Sequence, residues 1–191
     1  MLFRSDLTDA AQVDGLFSAL DGLLADPANQ LSGLRVLVNS AALMRAGDVR
    51  SASVSDWDGM LDLNLRAPFL CAQKAYQRME AGALIVNITD IAAQKVWTRF
   101  AAYTVSKAEL QSLTQIMARA FAPKVRVNAI APGLVLPSDD TPPEEWSRLV
   151  SRLPIQRAAY LDEITRSLEF LLDNEYITGQ TLAVDGGYSL L

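Results

Sequence analysis

The stretch Ala83-Leu84-Ile85-Val86-Asn87-Ile88-Thr89-Asp90 contains an apolar run that ends in two polar side chains. A short apolar run of this kind predicts a strand that is buried on both faces of a parallel sheet. Comparable runs occur at 34–38, 124–130 and 181–184, and segments with helical spacing of apolar residues separate them. We therefore expect an α/β fold, with one domain over residues 1–191, in which right-handed βαβ units form a parallel sheet covered by helices on both faces.

The segments between the runs predict the helices. Thr8 or Asp9 is expected to cap the first helix, and Ser53 or Ser55 is expected to begin the second. Asn64 is expected just before the third helix, whose first turn accepts Pro68. The first helix is expected to end at Asp26 and the third near residue 80. Further helices are expected at 100–122, 144–153 and 161–172. The short apolar segment at 1–4 is expected to be the end of another strand.

Composition excludes several kinds of chemistry. The 191 residues include no histidine and one cysteine, Cys71, so Ser-His-Asp and Cys-His catalysis, histidine-ligated metals, thiolate clusters and an intrachain disulfide are excluded. A net charge of −5 without a basic run argues against a nucleic-acid surface. No apolar run is long enough for a membrane span, and the N-terminus lacks a signal-peptide core. We expect a cytoplasmic protein with no metal site, no nucleic-acid partner and no membrane partner.

Tyr103-Thr104-Val105-Ser106-Lys107 places a phenol and an ammonium four residues apart, on one face of the predicted helix 100–122. The ammonium is expected to lower the pKa of the Tyr103 phenol from about 10, because it stabilises the phenolate. Such a tyrosine can protonate a carbonyl or imine that takes up hydride. The alternative is an ordinary amphipathic helix with Tyr103 half-buried and Lys107 solvated.

Asp90 follows the strand 83–88, at the sheet edge where ligands of α/β proteins bind. This position favours a functional carboxylate. The alternative is an Asp that caps a helix or stabilises a turn.

Six short motifs occur in a fixed order along the chain. They are Asn39-Ser40-Ala41-Ala42 after a strand, Asn64 before a helix, Asn87-Ile88-Thr89-Asp90, Tyr103-x-x-x-Lys107, Arg126-Val127-Asn128-Ala129-Ile130-Ala131-Pro132-Gly133, and Val184-Asp185-Gly186-Gly187. Over essentially all 191 residues the chain resembles the short-chain dehydrogenases/reductases. The resemblance implies a Rossmann-like three-layer parallel sheet and hydride transfer with a nicotinamide cofactor, NADP, with NAD as the open alternative.

The resemblance also implies roles for individual residues. Tyr103 would be the catalytic acid/base, Lys107 would hold the nicotinamide ribose and stabilise the phenolate, and Asn64 would anchor a proton-supplying water chain. The expected cofactor-binding residues, besides Tyr103 and Lys107, are Asp6 and Leu7 by the adenine, Asn39, Ala41 and Ala42 around the adenosine ribose, and Pro132, Gly133 and Leu134 near the nicotinamide.

Asp90 stands where the family usually has a serine, thirteen residues before Tyr103. In this respect the chain is similar to the pteridine reductase branch, which includes dihydromonapterin-type reductases. Further stretches that resemble the branch are Asp139-Asp140, Pro142-Pro143, Trp146, Tyr176-Ile177-Thr178-Gly179 and Gly187-Tyr188-Ser189-Leu190. The resemblance implies a pterin substrate, because a carboxyl group beside Tyr103 can relay or position the proton that a ring nitrogen needs.

The segment Leu43-Met44 departs from that branch, which tends to place an aromatic residue there to stack on the pterin. Met44 remains a candidate substrate contact together with Asp90 and Tyr103, since thioether–aromatic contacts are favourable. The open alternative is a general alcohol or carbonyl oxidoreductase.

No GxxxGxG turn, the family's pyrophosphate-binding element, occurs in the sequence. By resemblance, residues 1–5 correspond to the family's third strand, so two strands and two helices are absent. We expect an unpaired edge on strand 34–38 and weak or no NADPH binding. The chain is then either part of a longer reductase or a truncated, non-catalytic paralogue that acts through association. The helices at 64–80 and 100–122 are the family's usual dimer surfaces, which predicts a homo-oligomer, a dimer or tetramer.

Overall fold

The computed structural model describes residues 2–138 and 141–191, so Met1, Asp139 and Asp140 of the sequence interpretation lie outside the described residues. The helices are α1 Ala10–Ala25, α2 Val54–Leu61, α3 Ala67–Arg78, α4 Ala101–Phe121, α5 Pro143–Arg152 and α6 Leu161–Asp173. The strands are β1 Leu34–Asn39, β2 Met79–Ile88, β3 Val125–Pro132 and β4 Thr181–Val184. Short helical turns occur at Pro27–Asn29, Ile91–Gln94 and Tyr188–Leu190, and a π-helical turn covers Asp62–Arg66.

The four strands form one parallel sheet in the order β1-β2-β3-β4. The alternation of side chains along β2 explains why helices cover both faces of the sheet. Ile85 points into a core formed with α1, α3 and α4, whereas Leu84 and Val86 pack with α6. The α/β fold with a parallel sheet between helical layers is confirmed.

Strand β1 is less buried than its apolar sequence predicts. In the described residues it pairs with β2 only, so its other edge is unpaired, as expected. The prediction that this strand is buried on both faces is wrong, because Arg35 is exposed and Val38 is 38% exposed. The predicted strand end at 1–4 is also wrong for residues 2–4, which are irregular. A strand needs a hydrogen-bonded neighbour, and no described strand lies beside these residues.

Several element boundaries differ from the sequence prediction, and β3, for example, runs over Val125–Pro132 instead of 124–130. Helix α3 ends at Arg78, not near residue 80, and β2 begins at Met79, because Met79 pairs with Leu34 before the register shifts. Asn64 does not precede a helix; it lies inside the π-helical turn that connects α2 to α3. Among the helices in the described parts of the chain, none combines the length and the apolar character that crossing a membrane requires.

Candidate active site

Helix α4 carries Tyr103 in its first turn and Lys107 one turn later, and both side chains are buried. The helix start is fixed by the loop after β1, because Gly47 N–H donates to Arg99 O at 2.7 Å and Ala101 N–H donates to Gly47 O at 3.4 Å. Tyr103 packs in an apolar cluster with Met60, Ala92 and Ala102. The solvated-lysine alternative is therefore wrong, since Lys107 is only 3% exposed.

Asp90 lies at the carboxyl end of β2 and bonds with both of its oxygens. Its Oδ1 accepts from Ala92 N–H at 2.7 Å, which begins the short helical turn after β2. Its Oδ2 accepts from the Tyr103 hydroxyl at 2.6 Å. The helix-cap interpretation of Asp90 and its pairing with Tyr103 thus hold together. The same carboxylate sets the turn and contacts the phenol.

Lys107 extends along the Tyr103 ring to the end of β2. Its Nζ donates to Ile88 O at 2.9 Å and lies 5.7 Å from the centroid of the Tyr103 ring. Burial lowers the pKa of Lys107 to about 8, although the charge of Asp90 opposes this change. The ammonium is therefore still mostly protonated at neutral pH, and it uses one of its three N–H groups on the described residues.

The pKa of Tyr103 lies above its ordinary value, so the expected lowering by Lys107 is wrong. Burial is the main cause, and the charge and hydrogen bond of Asp90 add to it. The pKa of Asp90 is also raised, because burial outweighs the opposing hydrogen bond from Tyr103 and the charge of Lys107. The pair holds protons more tightly than its free components do. Such a pair favours the protonated phenol, the form that can donate a proton.

Asn64 is fully buried and connects three parts of the site. Its Oδ1 accepts from Leu43 N–H at 2.8 Å, while its Nδ2 donates to Leu43 O at 2.8 Å and to Ser106 Oγ at 3.0 Å. The side chain therefore joins the π-helical turn, the loop after β1 and helix α4. Its expected part in a water chain stays a prediction.

The expected adenosine-binding residues cluster along β1. Leu7, Asn39 and Ala41 line a cavity of about 250 Å³ between α1, β1 and the start of α3. Ala42 follows in the same loop and is exposed. Asp6 lies before α1, where its carboxylate accepts from the Thr8 hydroxyl and from Thr8 N–H, and these bonds lower its pKa.

Pro132, Gly133 and Leu134 follow the carboxyl end of β3. Gly133 N–H donates to Val184 O at 3.0 Å, and Leu134 O accepts from Ala159 N–H at 2.9 Å. A Cβ on Gly133 would lie 2.7 Å from Asp185 Cα, so the turn after β4 requires glycine here. The loop is thereby held against the end of the sheet.

The sequence prediction gave no individual role to two residues near the site, Asn87 and Leu43. Asn87 links the sheet to α4, because it accepts from Asn39 Nδ2 at 2.8 Å and donates to Thr114 Oγ1 at 2.9 Å. An amide inside an apolar strand was the available signal, since a buried polar group needs partners.

Leu43, not Met44, packs against the Tyr103 cluster, and Met44 is 47% exposed. The contact of Met44 with the substrate stays a prediction.

The hydrogen-bonding groups of Lys107 and Tyr103 can be compared with what the nicotinamide end of the cofactor requires. The Lys107 ammonium has N–H groups beyond the one given to Ile88, and Tyr103 adds a hydroxyl, a combination that suits ribose hydroxyls. These residues fit that end of the cofactor. The family's Gly-rich pyrophosphate turn has no counterpart in the printed sequence.

Comparison with known proteins places this geometry in a family. A family model described as enoyl-(acyl carrier protein) reductase matches residues 1–189. The chain is 30% identical to 2-dehydro-3-deoxy-D-gluconate 5-dehydrogenase of Escherichia coli (strain K12), over 97% of this chain and 76% of that protein.

Solved structures agree with this assignment. The FolM alternative dihydrofolate reductase 1 from Brucella canis, complexed with NADP, superposes with a TM-score of 0.89 at 35% identity over 100% of this chain and 74% of that one. A short-chain dehydrogenase/reductase from Serratia marcescens gives a TM-score of 0.87 at 30% identity, over 98% of this chain and 76% of that one. The chain therefore belongs to the short-chain dehydrogenase/reductase family of NAD(P)-dependent oxidoreductases.

Proposed function

We propose that this chain is an NADPH-dependent reductase of a pterin in which Tyr103 donates the proton. The observation that carries the proposal is the 2.6 Å hydrogen bond from the Tyr103 hydroxyl to Asp90 Oδ2. A serine hydroxyl in this place would polarise a carbonyl, whereas a buried carboxylate that accepts from the Tyr103 hydroxyl can take up a proton and return it to the phenolate. Burial raises the pKa of this carboxyl group, which favours that uptake and suits a ring nitrogen that must be protonated.

The nicotinamide, when bound, supplies the hydride. Lys107 would bind the ribose hydroxyls with its remaining N–H groups. The Tyr103 phenol gives its proton to the ring nitrogen next to the carbon that is reduced. Asp90 then takes a proton from solvent and passes it to the Tyr103 phenolate oxygen along their short hydrogen bond, which restores the phenol and the carboxylate. Because burial raises the pKa of Tyr103, the protonated phenol is the favoured form between turnovers.

Two comparisons support the choice of substrate and cofactor. The FolM structures from Brucella canis and Brucella suis are both NADP complexes of alternative dihydrofolate reductases. They match this chain at 35% and 36% identity over nearly its full length. NADP is therefore the proposed cofactor, and a reduced pterin ring is the proposed substrate class.

A general alcohol or carbonyl oxidoreductase is the second candidate. The curated relatives include a D-threitol dehydrogenase and 3-oxoacyl-[acyl-carrier-protein] reductases, none of which is described as acting on a pterin. Leu43-Met44 also offers no aromatic side chain for stacking on a ring.

The third candidate is a non-catalytic protein that acts through association. Helices α3 and α4 expose Phe69, Val105 and Ile116, which supports a proposed homo-oligomer.

The test is NADPH oxidation by the 191-residue chain, with NADPH at a concentration high enough to offset the weak binding that we expect of a sequence without a Gly-rich phosphate turn. Substrates are 7,8-dihydrobiopterin, 7,8-dihydromonapterin and a panel of simple ketones. We expect turnover of the pterins, and a loss of about 100-fold in the Asp90→Ser variant that spares any ketone reduction. Turnover of ketones without any turnover of pterins would refute the substrate claim.

A further inference from the structure

Two aromatic side chains from distant segments, Trp97 and Tyr188, meet beside the Asp90–Tyr103 pair. Trp97 lies in the loop that leads from β2 to α4, and Tyr188 begins the short helical turn after β4. Their ring centroids are 6.1 Å apart, and their planes meet at 45°. We call these two rings the aromatic wall. Neither ring takes part in the proposed proton transfer.

The aromatic wall adjoins the reaction centre through both of its members. Trp97 packs against the apolar cluster that contains Tyr103. The helical turn that begins with Tyr188 contacts the turn that Asp90 begins. Burial raises the pKa of Tyr188, and the nearby charge of Asp90 adds to this increase while that of Arg152 opposes it. A molecule that contacts the wall is therefore next to the phenol that donates the proton.

Hydrogen bonds fix the two segments of the wall against each other. Lys95, in the same loop as Trp97, donates from Nζ to Ser189 O at 2.9 Å, one residue after Tyr188. Asp185 accepts from Ser189 N–H at 2.7 Å and so stabilises the same turn. Because these bonds need no ligand, the two rings are held in place in advance, which lowers the entropic cost of binding.

Trp97 keeps part of its indole surface open to a cleft of about 230 Å³, which Tyr188 and Leu149 also line. Neither aromatic neighbour that the structure describes for Trp97 lies parallel to it, since the plane of Phe100 is inclined at 63° and that of Tyr188 at 45°. The cleft is smaller than a typical site for a whole drug-sized ligand, roughly 300 Å³ or more. It therefore suits one flat ring system of a larger substrate.

The aromatic wall offers what the segment Leu43-Met44 lacks. Leu43 belongs to the same apolar cluster as Trp97 but contributes no ring, and Met44 is exposed. Pairs of aromatic rings add affinity beyond the burial of apolar surface. A substrate ring near Tyr103 therefore gains more from lying against the wall than against Leu43.

We propose that the aromatic wall binds a flat ring of the substrate beside Tyr103, so that Trp97 and Tyr188 select planar aromatic or heteroaromatic substrates over aliphatic carbonyl compounds. The inference rests on the proposed function for Tyr103 as the proton donor. It goes further by assigning ring recognition to the loop before α4 and the turn after β4. It also separates the two enzymatic candidates, because an oxidoreductase of aliphatic alcohols gains nothing from such a wall.

¹⁹F NMR of the 191-residue chain labelled with 5-fluorotryptophan tests the proposal without turnover. The spectrum contains three signals, from Trp57, Trp97 and Trp146, which single tryptophan-to-phenylalanine variants assign. At a fixed concentration of NADP⁺ the ligands are 7,8-dihydrobiopterin, acetophenone and cyclohexyl methyl ketone, and the two ketones differ only in the saturation of the ring. We expect the ring current of the first two ligands to shift the Trp97 signal, and a far smaller shift with cyclohexyl methyl ketone. The Trp146 signal should not move.

Variants of the wall give a second readout, the dissociation constant from calorimetry. Trp97→Leu and Tyr188→Leu should each weaken binding of dihydrobiopterin about 3- to 10-fold, the factor of one aromatic pair, and leave binding of cyclohexyl methyl ketone unchanged. Tyr188→Phe retains the ring and should bind as the wild type does. Trp146→Leu is the matched control, because Trp146 lies on α5 and does not line the cleft.

A Trp97 signal that responds to neither flat ligand would overturn the proposal, and so would wild-type affinity for dihydrobiopterin in both leucine variants. Equal shifts with acetophenone and cyclohexyl methyl ketone would refute the selection for planar rings. Turnover of dihydrobiopterin with an unmoved Trp97 signal would retain the proposed function and refute the wall. A shift with acetophenone, without any binding of dihydrobiopterin, would retain the wall and refute the pterin substrate.

Discussion

The buried ammonium of Lys107 gives a prediction that depends on the site alone and not on any ligand. Burial lowers its pKa from 10.5 to about 8. This difference corresponds to about 3 kcal/mol, since one pKa unit equals about 1.4 kcal/mol. In the unfolded chain Lys107 holds its proton up to about pH 10.5, whereas in the folded protein it loses the proton near pH 8.

The sign of the pH dependence follows from these two values. Between about pH 8 and pH 10.5 the unfolded state binds more protons than the folded state, so the free energy of unfolding rises with pH through this window. Below about pH 8 the folded protein bears the full cost of the buried charge. Relative to Lys107→Met, the wild type should gain about 3 kcal/mol from about pH 7 to about pH 11.

Two measurements check this prediction. The first is urea unfolding of the wild type and Lys107→Met across the pH range, compared as a difference so that other titrating groups cancel. The second is ¹³Cε NMR of the protein with labelled lysine, which follows the chemical shift of each lysine with pH. The spectrum contains four signals, from Lys74, Lys95, Lys107 and Lys124. Asp90→Asn should lower the Lys107 pKa further, because the Asp90 charge opposes the effect of burial. A Lys107 signal that titrates at pH 10 or above would refute the reasoning.

Three other changes test the site. Gly133→Ala should destabilise by about 1–3 kcal/mol in urea unfolding, because its Cβ would lie 2.7 Å from Asp185 Cα. Its control is Gly22→Ala, where a Cβ meets no atom within 4 Å and a helical alanine should stabilise by up to about 1 kcal/mol. Asn64→Leu should lower the free energy of unfolding by about 2–4 kcal/mol, since it leaves the Leu43 N–H without a partner; an unchanged stability would contradict its bridging role. Tyr103→Phe should raise the pKa of Asp90 in carboxyl ¹³C NMR, because the hydrogen bond that opposes burial is lost; a lower pKa would contradict the geometry.

Local sequence rules were sufficient for some of these features. The spacing of Tyr103 and Lys107 places both side chains on one face of α4, whatever surrounds the helix. The apolar run of β2 predicts where this strand ends and therefore places Asp90 just after its carboxyl end. The direction of the Tyr103 pKa was not accessible in this way. It depends on the hydrogen bond to Asp90, a residue thirteen positions earlier in the chain. It also depends on the burial of the Tyr103 side chain, which only the packed apolar cluster provides.

Features that depend on neighbours in space were also missed. The exposure of Val38 results from the absence of a second partner for β1 in the described residues, which its own apolar sequence does not report. The π-helical turn at Asn64 and the approach of Tyr188 to Trp97 arise from packing between distant segments. Propensity and periodicity carry no signal for such contacts.

The central claim is that Tyr103, paired with Asp90, protonates a pterin during hydride transfer. The most direct measurement is a single-turnover reaction with 4-deuterated NADPH and a dihydropterin, followed by mass spectrometry of the product in the wild type and in Tyr103→Phe. We expect a tetrahydropterin that carries one deuterium, formed at least about 100-fold more slowly by the variant. An unlabelled or absent product, or equal rates in the two proteins, would contradict it.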